Sequence, residues 1–181
     1  MRHILSILVE NRFGELARIV GLFSARGYNI ESLTVAETLD SRVSRVTLVT
    51  IGDTQTVEQI VKQLEKQVRV LSVTNLTAAD HLERELALIH VKAQGHERQQ
   101  VIHLVDIFRA RVIDVAEESL TVEVTGDRSK INALLGLLGS FGIEEMVRAG
   151  TLAIPRLPAA STRHDLVKEY QVLEEKTAGG Y

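Results

Sequence analysis

The sequence predicts an α+β fold of two ferredoxin-like modules, each with the element order βαββαβ, and three observations carry that prediction. Strand-like alternation and helix-like periodicity follow one another in this order along the first part of the chain. The order then repeats: the helical stripe Leu16, Ile19, Val20 and Phe23 recurs as Val101, Leu104, Val105 and Phe108, 85 positions on. Between the copies lies "TAADHLERE", residues 77–85, polar and charged between two apolar strands. The expected division is a first module over 1–77, a linker over 78–84, a second module over 85–158 and a flexible or partly helical tail over 159–181.

In the first module, "ILSILVE" alternates as a strand, and the stripe from Leu16 to Phe23 marks the helix after it. Gly27 stands where that helix should end. "YNIESLTVAET" and "VSRVTLVTI" read as the next two strands, and Val57, Ile60, Val61 and Leu64 mark a second helix with Thr54 as its expected cap. "VRVLSVTNL" closes the set. In the second module "LALIHVKA" opens, the stripe from Val101 to Phe108 follows, and "RVIDVAEE" and "LTVEVTG" supply two strands. A helix with Ile131, Leu134, Leu135 and Leu138 comes next, then "EEMVRAGTLAI" as one strand. The offset for this helix falls to 74, so the preceding hairpin is expected to be about eleven residues shorter than its counterpart.

Composition narrows the function classes. The chain has 181 residues, 45% of them hydrophobic, with two prolines and a formal net charge of −3. That charge offers no general attraction to nucleic acid or anionic membrane, and an aromatic content of 4% leaves few platforms for stacking bases. With no cysteine there is no disulfide framework, thiolate zinc site or cysteine nucleophile. The apolar run near the start is broken by Ser6 and is too short for a signal peptide or a membrane span. A cytoplasmic protein without nucleic-acid or membrane partners is expected. A sheet covered on one face leaves its other face and its edges exposed, so a homodimer or higher homo-oligomer is expected as well.

Catalytic constellations are scarce. The sequence has no phosphate-binding Gly-Lys-Ser/Thr loop, dinucleotide fingerprint, G-x-S-x-G elbow or H-E-x-x-H. His90, His96 and His103 are the nearest approach to a metal cluster, and the simpler reading is three unrelated surface or half-buried histidines. Glu117-Glu118 and Glu144-Glu145 are neighbours along the chain and do not converge as an acid–base pair.

The differences between the copies are more informative. At the 85-residue offset Gly27 corresponds to Val112, so only the first copy is expected to hold a residue suited to φ > 0 past its helix. Gly14 falls at the start of the first helix, where unpaired N–H groups favour an anion. If the first and second strands are neighbours, Asn11 comes close to Asn29. Two amides could then meet both ends of a zwitterion, with Phe13 and Ile30 lining the apolar side. Each feature also has a plain structural reading: Asn29 as a turn residue, Gly14 as the hinge of a tight loop.

At "ILVENRFGELARIVGLFSARGYNIESLTVAET" the chain closely resembles the small, regulatory subunit of acetolactate synthase, whose pattern runs E-N-x-x-G-x-L-x-R and then G-L-F-x-x-R-G-Y-N-I-E-S-L-T-V. Glu10, Asn11, Gly14, Leu16, Arg18, Gly21, Leu22, Phe23, Arg26 and the run from Gly27 to Val35 match it, and the likeness extends over about residues 1–158. The resemblance implies that the first module is an ACT domain binding a branched-chain amino acid, valine foremost, at an interface between domains. It implies contacts to that effector from Asn11, Gly14, Asn29 and Ile30. It implies a partner, the large catalytic subunit, which holds thiamine diphosphate (ThDP), magnesium and FAD and condenses pyruvate with pyruvate or 2-oxobutyrate. This chain would carry no cofactor and no catalytic residue; it would activate the large subunit and confer feedback inhibition in branched-chain amino acid biosynthesis. Two positions depart from the pattern: Phe13, where the family usually has a small residue or proline, and Glu37, where it often has proline. The alternative is a free-standing ACT-type amino-acid sensor, or a regulator of transcription, which would need a basic helix-turn-helix that neither module nor tail supplies.

Overall fold

Why the apolar run of the first strand is nearly continuous becomes clear from its place in the sheet. In the computed structural model, which describes residues 1–157, β1 (Arg2–Glu10) is an inner strand of a four-stranded antiparallel sheet ordered β2-β3-β1-β4. Leu5, Ile7 and Val9 face the helices, while Ile4 turns the other way to join Val49, Leu76 and Ala153. A strand buried on both faces needs apolar residues at odd and even positions alike. The remaining elements of this unit are α1 (Glu15–Ala25), β2 (Ile30–Glu37), β3 (Val43–Ile51), α2 (Thr54–Leu64) and β4 (Val70–Asn75). Ile19 and Phe23 of α1 and Val57, Ile60 and Leu64 of α2 complete the core against Val46 and Leu48 of β3.

The second unit repeats the plan. β5 (His81–Lys92), α3 (Gly95–Ile107), β6 (Arg111–Val115), β7 (Ser119–Gly126), α4 (Arg128–Leu138) and β8 (Ile143–Arg148) form a sheet ordered β6-β7-β5-β8, with β9 (Leu152–Pro155) also paired to β5. Ala87, Ile89 and Val91 of β5 pack with Val101 and Val105 of α3, Val122 and Val124 of β7, and Ile131, Leu134 and Leu138 of α4.

Several expectations are corrected. The buried stripe of α1 is Glu15, Ile19 and Phe23; Leu16 is left 40% exposed, because Glu15 has cationic partners that let it take the inward position. The cap of α2 is Asp53, whose carboxylate accepts from the Thr56 N–H at 2.6 Å, and not Thr54, which is the first helical residue. Asp127 caps α4 in the same way through the Lys130 N–H at 2.8 Å. The offset in the first half of the repeat is 82 rather than 85, since Ile19 matches Val101 and Phe23 matches Val105 in burial. It falls to 74 between Leu64 and Leu138, so the hairpin is shorter by eight residues, not eleven.

The helix ends show the same three-residue slip. After α1 the Tyr28 N–H donates to Phe23 O at 3.0 Å and the Gly27 N–H to Ser24 O at 3.2 Å, with Gly27 at φ 69. After α3 the Ala110 N–H donates to Val105 O at 2.8 Å and the Arg109 N–H to Asp106 O at 3.0 Å, with Arg109 at φ 49. These are two copies of one Schellman closure. The counterpart of Gly27 is thus Arg109, not Val112, and the second copy does take a left-handed residue there.

At the boundary, residues 81–84 of the expected linker already belong to β5. The last expected strand is broken: Ala149, Gly150 and Thr151 separate β8 from β9, and the Thr151 hydroxyl donates to the buried Glu85 carboxylate at 2.8 Å. From Ala153 the described chain groups with the first unit, which spans Met1–Leu82, and the second unit spans Glu83–Leu152. The expected tail, 159–181, lies outside the described residues.

Candidate functional site

The loop joining β1 to α1 is fixed by three neighbouring segments. The Asn11 N–H donates to Arg42 O at 2.7 Å, and its side-chain Nδ2 donates to Glu37 Oε1 at 3.0 Å and Ser41 O at 2.9 Å. The loop is therefore tied to the end of β2 and to the β2–β3 hairpin. Gly14 takes φ 87 as the N-cap residue of α1, and no side chain caps this helix. Its first-turn N–H groups lack the carboxylate that Asp53 and Asp127 supply to α2 and α4. Phe13 is fully exposed at the tip of the loop.

Beneath the loop lies a charged cluster. The Glu15 carboxylate, with its side chain 5% exposed, meets Arg69 Nη1 and Arg18 Nη1 at 3.1 Å each. Arg69 Nε also lies 3.9 Å from Glu10, which pairs with Arg12 at 3.0 Å. Burying Glu15 is tolerable because two guanidiniums and the positive end of α1 offset its desolvation. In the nearby hairpin the Arg42 guanidinium, bonded to Asp40, pulls that carboxyl down to about 2.

The other expected residues lie elsewhere. Asn29 is exposed just before β2, and its carbonyl accepts from Thr50 Oγ1 at 2.7 Å. Ile30 pairs with Thr50 and packs on the core of the first unit. Because β3 separates β1 from β2, the expectation that Asn11 and Asn29 are neighbours is wrong within one chain. Thr50 also pairs with His3 at the start of β1, whereas Asn11 follows its end at Glu10. Seven residues of strand, roughly 23 Å, lie between those levels. The structure thus brings Asn11, Phe13 and Gly14 together in one loop, and Asn29 and Ile30 together at the far end of β2.

Sequence reasoning missed Glu37 and Ser41 as partners of Asn11 and Arg69 as the partner of Glu15. Only the hairpin register, Glu37 opposite Ser44, could have indicated the first pair. The three histidines singled out are all exposed; His90 Nδ1 lies 3.8 Å from Glu145, and among the described residues no group of three potential ligands converges. No helix among the described residues is long and apolar enough to cross a membrane.

Two βαββαβ units, each opening on a first helix that no side chain caps, define a tandem ferredoxin-like fold. Residues 5–72 match the family described as AHAS small subunit-like ACT domain, and residues 84–157 match the small subunit of acetolactate synthase. The chain belongs to the acetolactate synthase small-subunit family. It is 51% identical to the acetolactate synthase small subunit of Mycobacterium leprae over 156 residues, covering 86% of this chain and 92% of that one. It is 46% identical to the probable acetolactate synthase small subunit of Archaeoglobus fulgidus, covering 86% of this chain and 98% of that one. Among solved structures, the acetolactate synthase small subunit of Thermotoga maritima is similar at a TM-score of 0.80 and 39% identity, over 88% of this chain and 99% of that one.

Proposed function

We propose that this chain is a non-catalytic regulatory subunit that activates the large subunit of acetolactate synthase and makes it sensitive to a branched-chain amino acid, with valine the first candidate. The observation that carries the reading is the loop from Asn11 to Gly14. It places an amide whose two N–H groups are both occupied beside a helix start that has no side-chain cap. The Asn11 carbonyl would accept from the ligand's ammonium, and the first-turn N–H groups of α1 would hold its carboxylate. The exposed Phe13 would cover the aliphatic side chain.

Asn29 reaches this site only from a second copy. β1 and β2 both run antiparallel to β3, and β2 is an edge strand. Two β2 edges paired antiparallel would set the start of one strand beside the end of the other, bringing the partner's Asn29 and Ile30 to the loop of Asn11. An effector bound between two copies favours the pairing geometry it fits, and shifts it by no more than its differential affinity. A ten- to hundredfold change in response asks for ~1.4–2.7 kcal/mol of coupling, ordinary for allostery. The ThDP, magnesium and FAD chemistry belongs to the large subunit in this reading; this chain supplies binding and coupling only.

Calorimetric titration of valine, leucine and isoleucine into the full chain, alone and with its large subunit, tests the proposal. Saturable binding of one of them, lost in Asn29→Ala while activation of the large subunit persists, is the expected result. Full feedback sensitivity in Asn29→Ala would remove Asn29 from the site.

A further inference from the structure

We infer that Glu37 sets the chemical class the loop site accepts, admitting α-amino acids and refusing the 2-hydroxy and 2-oxo acids of the same carbon skeleton; the inference rests on the effector reading above. An amide side chain can present either of its ends to a ligand, and here its neighbours decide which. Asn11 is flanked by two acceptors, the Glu37 carboxylate at 3.0 Å and the Ser41 carbonyl at 2.9 Å. Turning the amide over would set its oxygen against both of them. Nδ2 is therefore directed to the hairpin and Oδ1 away from it. Among the described residues no donor is bonded to Oδ1.

An outward carbonyl asks for a donor. An ammonium supplies one with a full charge, a hydroxyl supplies a neutral and weaker one, and a 2-oxo group supplies none. Glu37 acts twice. Its oxygen holds the amide in this orientation, and its negative charge, one amide away from the ligand position, favours a cation there. Ser41 is a weaker anchor alone, because a single acceptor leaves the second N–H released and the amide able to turn. Glu37 is exposed at the end of β2 and makes no part of the core, so its removal leaves the packing of the unit untouched. The distinction matters for a partner of an enzyme whose own substrates are 2-oxo acids, since a site that read only the aliphatic tail and the carboxylate would respond to the wrong molecules.

The test titrates the full chain with its large subunit against L-valine, 2-hydroxy-3-methylbutanoate and 3-methyl-2-oxobutanoate, using wild type, Glu37→Gln and Glu37→Ala. Wild type is expected to take valine and refuse both acids. Glu37→Ala should bind valine about tenfold more weakly, the scale of one charge-assisted hydrogen bond, and narrow the gap to the hydroxy acid. Glu37→Gln, which keeps an acceptor and loses the charge, should fall between them, and it decides the matter should the alanine variant fail to fold. Valine binding that is unchanged in both variants, or weakened with its selectivity intact, overturns the inference and leaves the effector reading standing. Absence of saturable binding of every compound to wild type overturns both.

Discussion

Arg69, at the turn into β4, reaches the buried Glu15 carboxylate in the first turn of α1 at 3.1 Å and so fastens one end of the sheet to the helix behind the loop. The same residue's carbonyl accepts from the Glu10 N–H at 3.0 Å, which makes it a brace on both sides of residues 11–14. Replacing Arg69 by Met leaves Glu15 with Arg18 alone and is expected to destabilise the fold by about 1–3 kcal/mol. Glu15→Leu in that background should recover most of the loss, because no buried charge then remains. Urea unfolding of the single and double variants measures both.

The two Schellman closures place glycine in one and arginine in the other at the left-handed position, and stability should report it. Arg109 holds φ 49 with a side chain that disfavours it, so Arg109→Gly is expected to raise stability by up to ~1 kcal/mol. Gly14→Ala imposes the reverse cost at φ 87, about 1 kcal/mol, although no atom stands within 4 Å of the added Cβ. Opposite shifts in melting temperature are the expected observation; a loss in both variants would refute the conformational account.

Acid should weaken two helix starts. The Thr56 N–H bonded to Asp53, and the Ser129 hydroxyl with the Lys130 N–H bonded to Asp127, lower both carboxyl pKa values. A depressed folded pKa contributes stability that is full above the unfolded value, near 4, and fades as pH falls through the folded value. The melting-temperature gap between wild type and Asp53→Ala or Asp127→Ala should therefore hold at neutral pH and narrow below about pH 4.

Complementation tests the two-copy site directly. Asn11→Ala and Asn29→Ala chains should each be insensitive to effector on their own. Mixed and reassembled, they should regain part of the response, because a mixed pair contains one site with both amides intact. Insensitive mixtures would mean that the two amides serve no common ligand.

The modules were legible because apolar spacing reports burial directly: Ile19, Phe23, Val57, Ile60 and Leu64 all fall in the core where their periodicity put them. What escaped were features set by partners distant in the chain. Glu15 displaced Leu16 from the inward face through Arg69, which lies 54 residues away. The exclusion of Asn29 from the neighbourhood of Asn11 follows from strand order, which periodicity does not encode. The slip between Gly27 and Arg109 was hidden because arginine stands where glycine would have marked the helix end.

Ala153 packs against Ile4, Val49 and Leu76, and this gives the first unit a schedule. Among the described residues, its earliest core residue and its latest are separated by the whole of the second unit's sequence. During synthesis the N-terminal module must wait, one contact incomplete, until the ribosome has delivered the second in full. A chain ended at residue 77 would make the same module without that closing contact, and would describe the nascent intermediate better than the finished domain.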